Sequence, residues 1–293
     1  MQVVSNAKEL NDIIKKYKQK GKKIGLVPTM GALHNGHKSL IDIARKECDI
    51  VVVSVFVNPI QFGANEDFDK YPRVFEQDKE LCQKAGCDVI FHPEPQEMYP
   101  DFVPNGTLKE NLKVKELSYT VKVPEKLTNK LCGKSRPGHF DGVCTIVLKL
   151  FNIVKPDIAY FGQKDIQQLI IIKNMCKSLN LDIKIQGCPI VREPSGLAMS
   201  SRNSYMNNEQ KENAASIFKV LSNIEFMANE GKTDKTEIFS ESLKLLHPDI
   251  ELEYLEVCDL DTLDYSEKIL HNNFVAIAAK IGNVRLIDNM VIK

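Results

Sequence analysis

LVPTMGALHNGHKSLI, residues 26–41, passes within a few positions from buried strand chemistry to a helical pattern. IGLVP (24–28) is short and apolar and reads as a strand ending at Pro28. Leu40, Ile41, Ala44 and Cys48 fall on one helical face, so a helix is expected to begin near Gly36. In an open α/β sheet such a strand-to-helix turn sits at the carboxyl edge, where ligands bind. A helix start there offers unpaired N–H groups and a favourable dipole to an anion. Gly31 and Gly36 let the backbone come close to a ligand, and His34 and His37, three apart, project from the same side. The stretch therefore reads as a phosphate cradle with two imidazole donors. An isolated HxGH is equally compatible with two solvated loop histidines, and a zinc pair would lack a third ligand nearby.

Working outward, DIVVVSVFV (49–57), DVIFH (88–92) and IAYFG (158–162) are further strand runs. Val143, Ile146, Val147, Leu150, Phe151 and Val154 form a continuous helical stripe; Leu169, Ile172, Cys176 and Leu179 form a weaker one. Strands that are apolar throughout are buried on both faces, which predicts an α/β fold, a Rossmann-like domain around a mostly parallel sheet. The amino-terminal MQVVSNAKELNDIIKKYKQKG reads as a helix. After residue 188 the texture changes to a turn-rich linker, two surface helices within 208–231 and 233–247, the run ELEYLEVCDLD, and a hairpin-like NFVAIAAKIGNVRLIDNMVI. The expected organisation is a nucleotide- and substrate-binding domain over 1–188 and a smaller carboxyl-terminal α+β lid domain over 189–293. The polar stretch 102–130 is expected to be a surface loop or short ribbon.

The 293 residues suit two domains, and 43% hydrophobic with 27% charged residues suits a packed core. Lys plus Arg equals Asp plus Glu at 39 each, so bulk electrostatic attraction to nucleic acid or anionic membrane is not expected. No uninterrupted run of about 18 apolar residues marks a membrane span, and no signal-peptide pattern opens the chain. A cytoplasmic protein is expected. The eight cysteines include no CxxC pair, and several sit in apolar runs where a thiol packs as a small hydrophobe.

Four further stretches carry polar groups at expected strand ends or loops. VNPIQFGANEDFDKYPR (57–73) places Asn58 and Gln61 where amides can grip a carboxylate or hydroxyl, although Asn-Pro turn chemistry accounts for it equally. KSRPGHFDGV (134–143) sets Arg136 just ahead of the stripe helix, where a plain surface arginine is the simpler reading. In FGQKDIQQL (161–169), Lys164 supplies a point charge and Gln168 a neutral donor. MSSRN (199–203) offers two hydroxyls and a guanidinium, a set suited to polyphosphate oxygens.

In their order along the chain, PTMGALHNGH, VSVFVNPIQFGANEDFDKYPR, RPGHFDGV, YFGQKD and REPSGLAMSSRN resemble the signatures of the pantoate:beta-alanine ligase family, within the HxGH nucleotidylyltransferase superfamily. The resemblance runs through essentially the whole chain and is tightest between residues 25 and 205, with a longer stretch than usual between MYP (98–100) and RPGH (136–139). It implies a two-step reaction: pantoate attacks the α-phosphate of ATP to give pantoyl adenylate and pyrophosphate, then beta-alanine displaces AMP. By the same resemblance, His34, His37, Lys164, Ser200, Ser201 and Arg202 carry the catalysis. Met30, Gly31, Gly162, Asp165, Val191 and Met199 join them around ATP, Asn58, Gln61, Gln168, Pro28 and Met30 hold pantoate, and Arg136 lies at the edge. It further implies Mg2+ with the ATP, a homodimer, and small-molecule partners only. A tRNA synthetase would share HNGH but would also bring an anticodon-binding region and a basic surface. A nucleotide-sensing protein without catalysis would have no reason to keep Lys164 and Arg202.

Overall fold

A computed structural model describes residues 1–63, 66–103 and 118–292. The chain runs β1 (Gln2–Val4), α1 (Ala7–Gln19), β2 (Ile24–Thr29), α2 (Asn35–Glu47), β3 (Ile50–Val55), α3 (Phe75–Lys84), β4 (Val89–Phe91) and α4 (Pro95–Met98). It continues through α5 (Glu125–Thr128), α6 (Leu131–Ser135), α7 (His139–Val154), β5 (Ile158–Gly162), α8 (Ile166–Ser178) and β6 (Lys184–Cys188). Then follow α9 (Asn208–Ala214), α10 (Ser216–Asn229), α11 (Lys235–Leu243), β7 (Ile250–Asp259), β8 (Asn273–Ile281) and β9 (Val284–Val291).

The first six strands form one parallel sheet in the order β1-β4-β3-β2-β5-β6. Its central strands are buried on both faces, because alternate residues enter different cores. Leu26 and Val52 pack with α7, whereas Val27, Val51 and Val53 pack with Leu40, Ile41 and Ala44 of α2. All six residues of the expected α7 stripe are buried. The chain moves one way from β2 to β4 and the other way from β5 to β6, so the switch point lies between β2 and β5. Their carboxyl ends open a crevice there.

The second sheet is antiparallel, β7-β8-β9. Phe274 and Ala276 face the first core while Val275 and Ile277 join a separate cluster with α10, which explains why β8 is apolar without alternation.

Several boundaries differ from expectation. Beta strand β2 runs on to Thr29, with Pro28 inside it. Cys48 is buried but lies in extended backbone just past α2, and Leu179 is 48% exposed at the end of α8. The amino terminus opens as β1 before α1, and β6 also went unread: β1 is too short for a pattern and β6 is a polar edge strand. Residues 208–231 hold two helices, α9 and α10, where one was expected. Of the stretch 102–130, residues 104–117 lie outside the described residues; beyond them α5 occupies part of the expected loop. All eight cysteines are free, seven of them buried.

Candidate active site

The crevice at the ends of β2 and β5 contains a cavity of about 230 Å³. His34 and His37 form one wall. His34 is the N-cap of α2: its Nδ1 accepts the Gly36 N–H at 3.1 Å, and His37 Nδ1 accepts the His34 N–H at 3.3 Å. This reciprocal cap has imidazoles in the roles that Ser and Glu usually fill. Because each Nδ1 accepts, each ring carries its proton on Nε2 and presents it as a donor. Burial, then the nearby Lys164 ammonium, lowers His34 to about 4. Burial, then His34 and Lys164, lowers His37 to about 3. Both are therefore neutral donors at physiological pH. The rings lie 4.2 Å apart, and a Cβ on Gly36 would come within 2.7 Å of the His34 ring.

Gly31 does not line the cavity. It sits behind it at φ 83, where a left-handed turn brings the chain from β2 toward α2. Asp78, 2% exposed on α3, anchors this turn: its carboxylate accepts the Ala32 N–H at 3.0 Å and the Leu33 N–H at 2.7 Å. Burial raises its pKa despite those two bonds.

Across from the histidines, Pro28, Met30, Asn58, Gln61 and Gln168 line the cavity together with Val143 and Val147 of α7. Gly162, Lys164, Asp165, Val191 and Met199 complete the end nearest β5. Among the described residues Lys164 has no carboxylate partner, which leaves its ammonium available to an anion. Asn289 of β9 positions it by donating to the carbonyls of Gln163 and Lys164, both at 2.9 Å.

Ser200, Ser201 and Arg202 close the cavity from the linker. Ser201 Oγ donates to the Ala32 carbonyl at 3.1 Å, which joins this loop to the histidine turn. Ser200 caps a 3-10 turn. Arg202 is held bidentately by Asp67 at 2.8 and 3.0 Å, and Arg136 by Glu66, with Arg136 Nε at 2.8 Å. His139 Nδ1 donates to the Gln61 carbonyl at 2.8 Å, so its Nε2 accepts from Arg136 at 2.9 Å. Burial, then Arg136, lowers His139 to about 3. Arg192 ties the linker to the carboxyl-terminal sheet through Asp288 and stacks over Phe218 at 4.0 Å. A wider cleft of about 1090 Å³ adjoins the cavity, sharing Arg136, His139, Lys164, Asp165, Gln168 and Arg202 with it.

Of the residues singled out in the sequence, all but Gly31 line this one cavity. Sequence reasoning missed Asp78, His139, Asp288, Asn289 and the carboxylates Glu66 and Asp67. Glu66, Asp67 and His139 lay inside quoted motifs, but no local spacing signals the other three.

A doubly wound sheet with neutral histidine donors, a free lysine and a serine-arginine loop at its switch point defines an α/β protein built to handle the phosphates of a nucleotide. The chain belongs to the pantoate-beta-alanine ligase family, whose model matches residues 2–291. It is 48% identical to the pantothenate synthetase of Caldicellulosiruptor bescii over 295 aligned positions, covering 100% of this chain and 99% of that one. The crystal structure of pantothenate synthetase from Thermus thermophilus superposes with a TM-score of 0.88 at 37% identity, covering 100% and 99% of the two chains. The pantoate-beta-alanine ligase of Francisella tularensis, complexed with beta-gamma ATP and beta-alanine, matches at TM-score 0.78 and 36% identity, over 99% and 97%.

Proposed function

We propose that this chain condenses pantoate with beta-alanine in two steps at this cavity. The pantoate carboxylate attacks the α-phosphorus of ATP and pyrophosphate leaves. The beta-alanine amine then attacks the acyl carbon of pantoyl adenylate, loses a proton, and AMP departs with the carboxylate oxygen that bound phosphorus. No protein nucleophile is required, since positioning and charge stabilisation carry phosphoryl transfer.

The observation that carries the proposal is the convergence of His34, His37 and Lys164 with the amides of Asn58, Gln61 and Gln168 around one cavity. The imidazole donors and the ammonium suit a phosphate whose charge grows in the transition state. The amides suit the oxygens of a hydroxy acid, and Pro28, Met30 and Val147 suit its hydrocarbon part. Gly162, Asp165, Val191 and Met199 are assigned to the adenosine end, and Ser200, Ser201 and Arg202 to the phosphates. Residues 189–293 form the lid, with Asn289 and Asp288 holding the loops it brings to the site.

Among the described residues no group of three His, Cys, Asp or Glu side chains is arranged to hold a metal ion. Magnesium is assigned to the triphosphate, because Mg2+ keeps several waters and is held largely by phosphate oxygens, whose charge it offsets. Among the described residues no helix is long and apolar enough to cross a membrane. A cytoplasmic homodimer belongs to the same proposal, with sedimentation equilibrium as its check.

The test is a product assay with ATP, magnesium and D-pantoate, with and without beta-alanine. The proposal expects AMP and pantothenate in equal amounts only when beta-alanine is present. Absence of any pantoate-dependent product would retain an ATP site but remove the acid substrate.

A further inference from the structure

Tyr99, in the MYP motif at 98–100, takes no part in the mechanism above and lies 1% exposed beneath the cavity. Its hydroxyl donates to Asn58 Oδ1 at 2.8 Å. Asn58 Nδ2 donates to the Gly142 carbonyl at 3.1 Å and to Gln61 Oε1 at 2.9 Å. The direction of each bond is forced. A backbone carbonyl can only accept, so the Asn58 nitrogen must face Gly142. The Asn58 oxygen then faces Tyr99, whose hydroxyl must donate. With Asn58 fixed, the Gln61 oxygen faces Asn58, and the Gln61 nitrogen turns to Met30 and the cavity, with Nε2 at 2.9 Å from Met30 Sδ.

We infer that Tyr99 is a positioning residue for the acid substrate: through Asn58 it locks the Gln61 amide so that N–H donors, not a carbonyl oxygen, face the substrate's hydroxyl or carboxylate oxygens. The inference rests on the assignment of Gln61 to pantoate. Without the phenol, Asn58 Oδ1 becomes a buried acceptor that has lost its donor, and the side chain relieves that penalty by shifting out of the geometry in which its Nδ2 holds Gln61 Oε1. The Gln61 amide then gains access to the flipped state, in which an acceptor meets an acceptor.

Three features make the chain rigid. Gly142 allows α7 to approach closely, since a Cβ there would lie 2.6 Å from both the Gln61 Cα and the Ile60 carbonyl. The Gln61 carbonyl is itself held by His139. The tyrosine ring is packed by Phe56, with centroids 6.3 Å apart, and by the Lys149 ammonium 5.3 Å above it. Burial raises the phenol pKa, so the hydroxyl remains a donor through the neutral range.

Tyr99→Phe removes the hydroxyl and leaves the ring, so a purely packing role would leave both substrate constants unchanged. The inference expects the pantoate KM to rise about tenfold, the loss of one oriented donor in a buried site. ATP KM and kcat should stay within about threefold of their starting values, and the thermal midpoint should report an intact fold. In an Asn58→Ala background, Tyr99→Phe should add nothing further, since both act on the same bond chain. An unchanged pantoate KM, an equal rise for ATP, or full additivity with Asn58→Ala would overturn the inference. Gln61→Ala measured in parallel separates two failures. If it raises the pantoate KM while Tyr99→Phe does not, Tyr99 loses its role and the pantoate site stands. If neither changes it, the assignment of the pantoate site falls as well.

Discussion

The two cationic sides of the cavity are built on different principles. On the sheet side, His34 and His37 are held by backbone N–H groups at the start of α2, and Lys164 by Asn289 under its backbone. Among the described residues, nothing there must let go of a carboxylate before it meets an anion. On the linker side, Arg202 is clamped by Asp67 and Arg136 by Glu66. These guanidiniums must exchange or share partners when a phosphate arrives. The sheet side can therefore stabilise charge as it develops, while the arginine side is suited to binding and closure.

The strongest way to break this comparison is to remove a sheet-side donor. His37→Ala is expected to fold and to lose on the order of 100-fold or more in the pantoate-dependent ATP–pyrophosphate exchange rate. Near-normal exchange would take His37 out of the mechanism. Gln61→Ala is expected to raise the pantoate KM about tenfold while barely moving that of ATP. Equal effects on both would mean that the amide wall does not belong to the acid.

A third measurement uses the neutrality of the histidines. Their folded pKa values, about 4 for His34 and about 3 for His37, lie below the ordinary 6.5. Between those values the unfolded chain binds more protons than the folded one, so stability rises with pH there and is lost as pH falls below 6.5. Each neutral histidine is expected to contribute a slope approaching about 1 kcal/mol per pH unit in that window. The His34→Gln, His37→Gln double variant should flatten the fall in thermal midpoint between about pH 6.5 and about pH 4.5. An undiminished slope would mean that the pair is already charged in the folded protein.

The smallest effect belongs to the arginine side. The Asp67–Arg202 pair is partly exposed, with side chains 23% and 30% accessible, so its net worth is modest. Asp67→Asn frees Arg202 and is expected to lower the ATP KM about two- to threefold, in line with an exposed pair worth under about 1 kcal/mol. A rise in KM would assign Asp67 a direct part in binding the nucleotide and its metal.

Local sequence carried the parts of this molecule whose physics is local. The β-branched runs of β2, β3 and β5 and the stripe of α7 declare their burial through composition and period. The histidines, Lys164 and the serine-arginine loop declared themselves by standing at strand ends and by the order of their motifs. Asp78 was not legible, because its role depends on α3 folding beneath a turn 45 residues away. Asn289 and Asp288 were hidden for the same reason: they act across the junction of the two sheets. Strand β6 was missed because an edge strand with an exposed lysine and a glycine lacks the apolar run that marks a central one.

The central claim is that this cavity activates a carboxylate by transferring AMP to it. Pantoate labelled with 18O in both carboxylate oxygens tests it most directly, with the AMP released during pantothenate formation analysed by mass spectrometry. The account predicts one 18O in each AMP and one retained in the amide carbonyl. AMP without label, or label in inorganic phosphate with ADP as the nucleotide product, would contradict it.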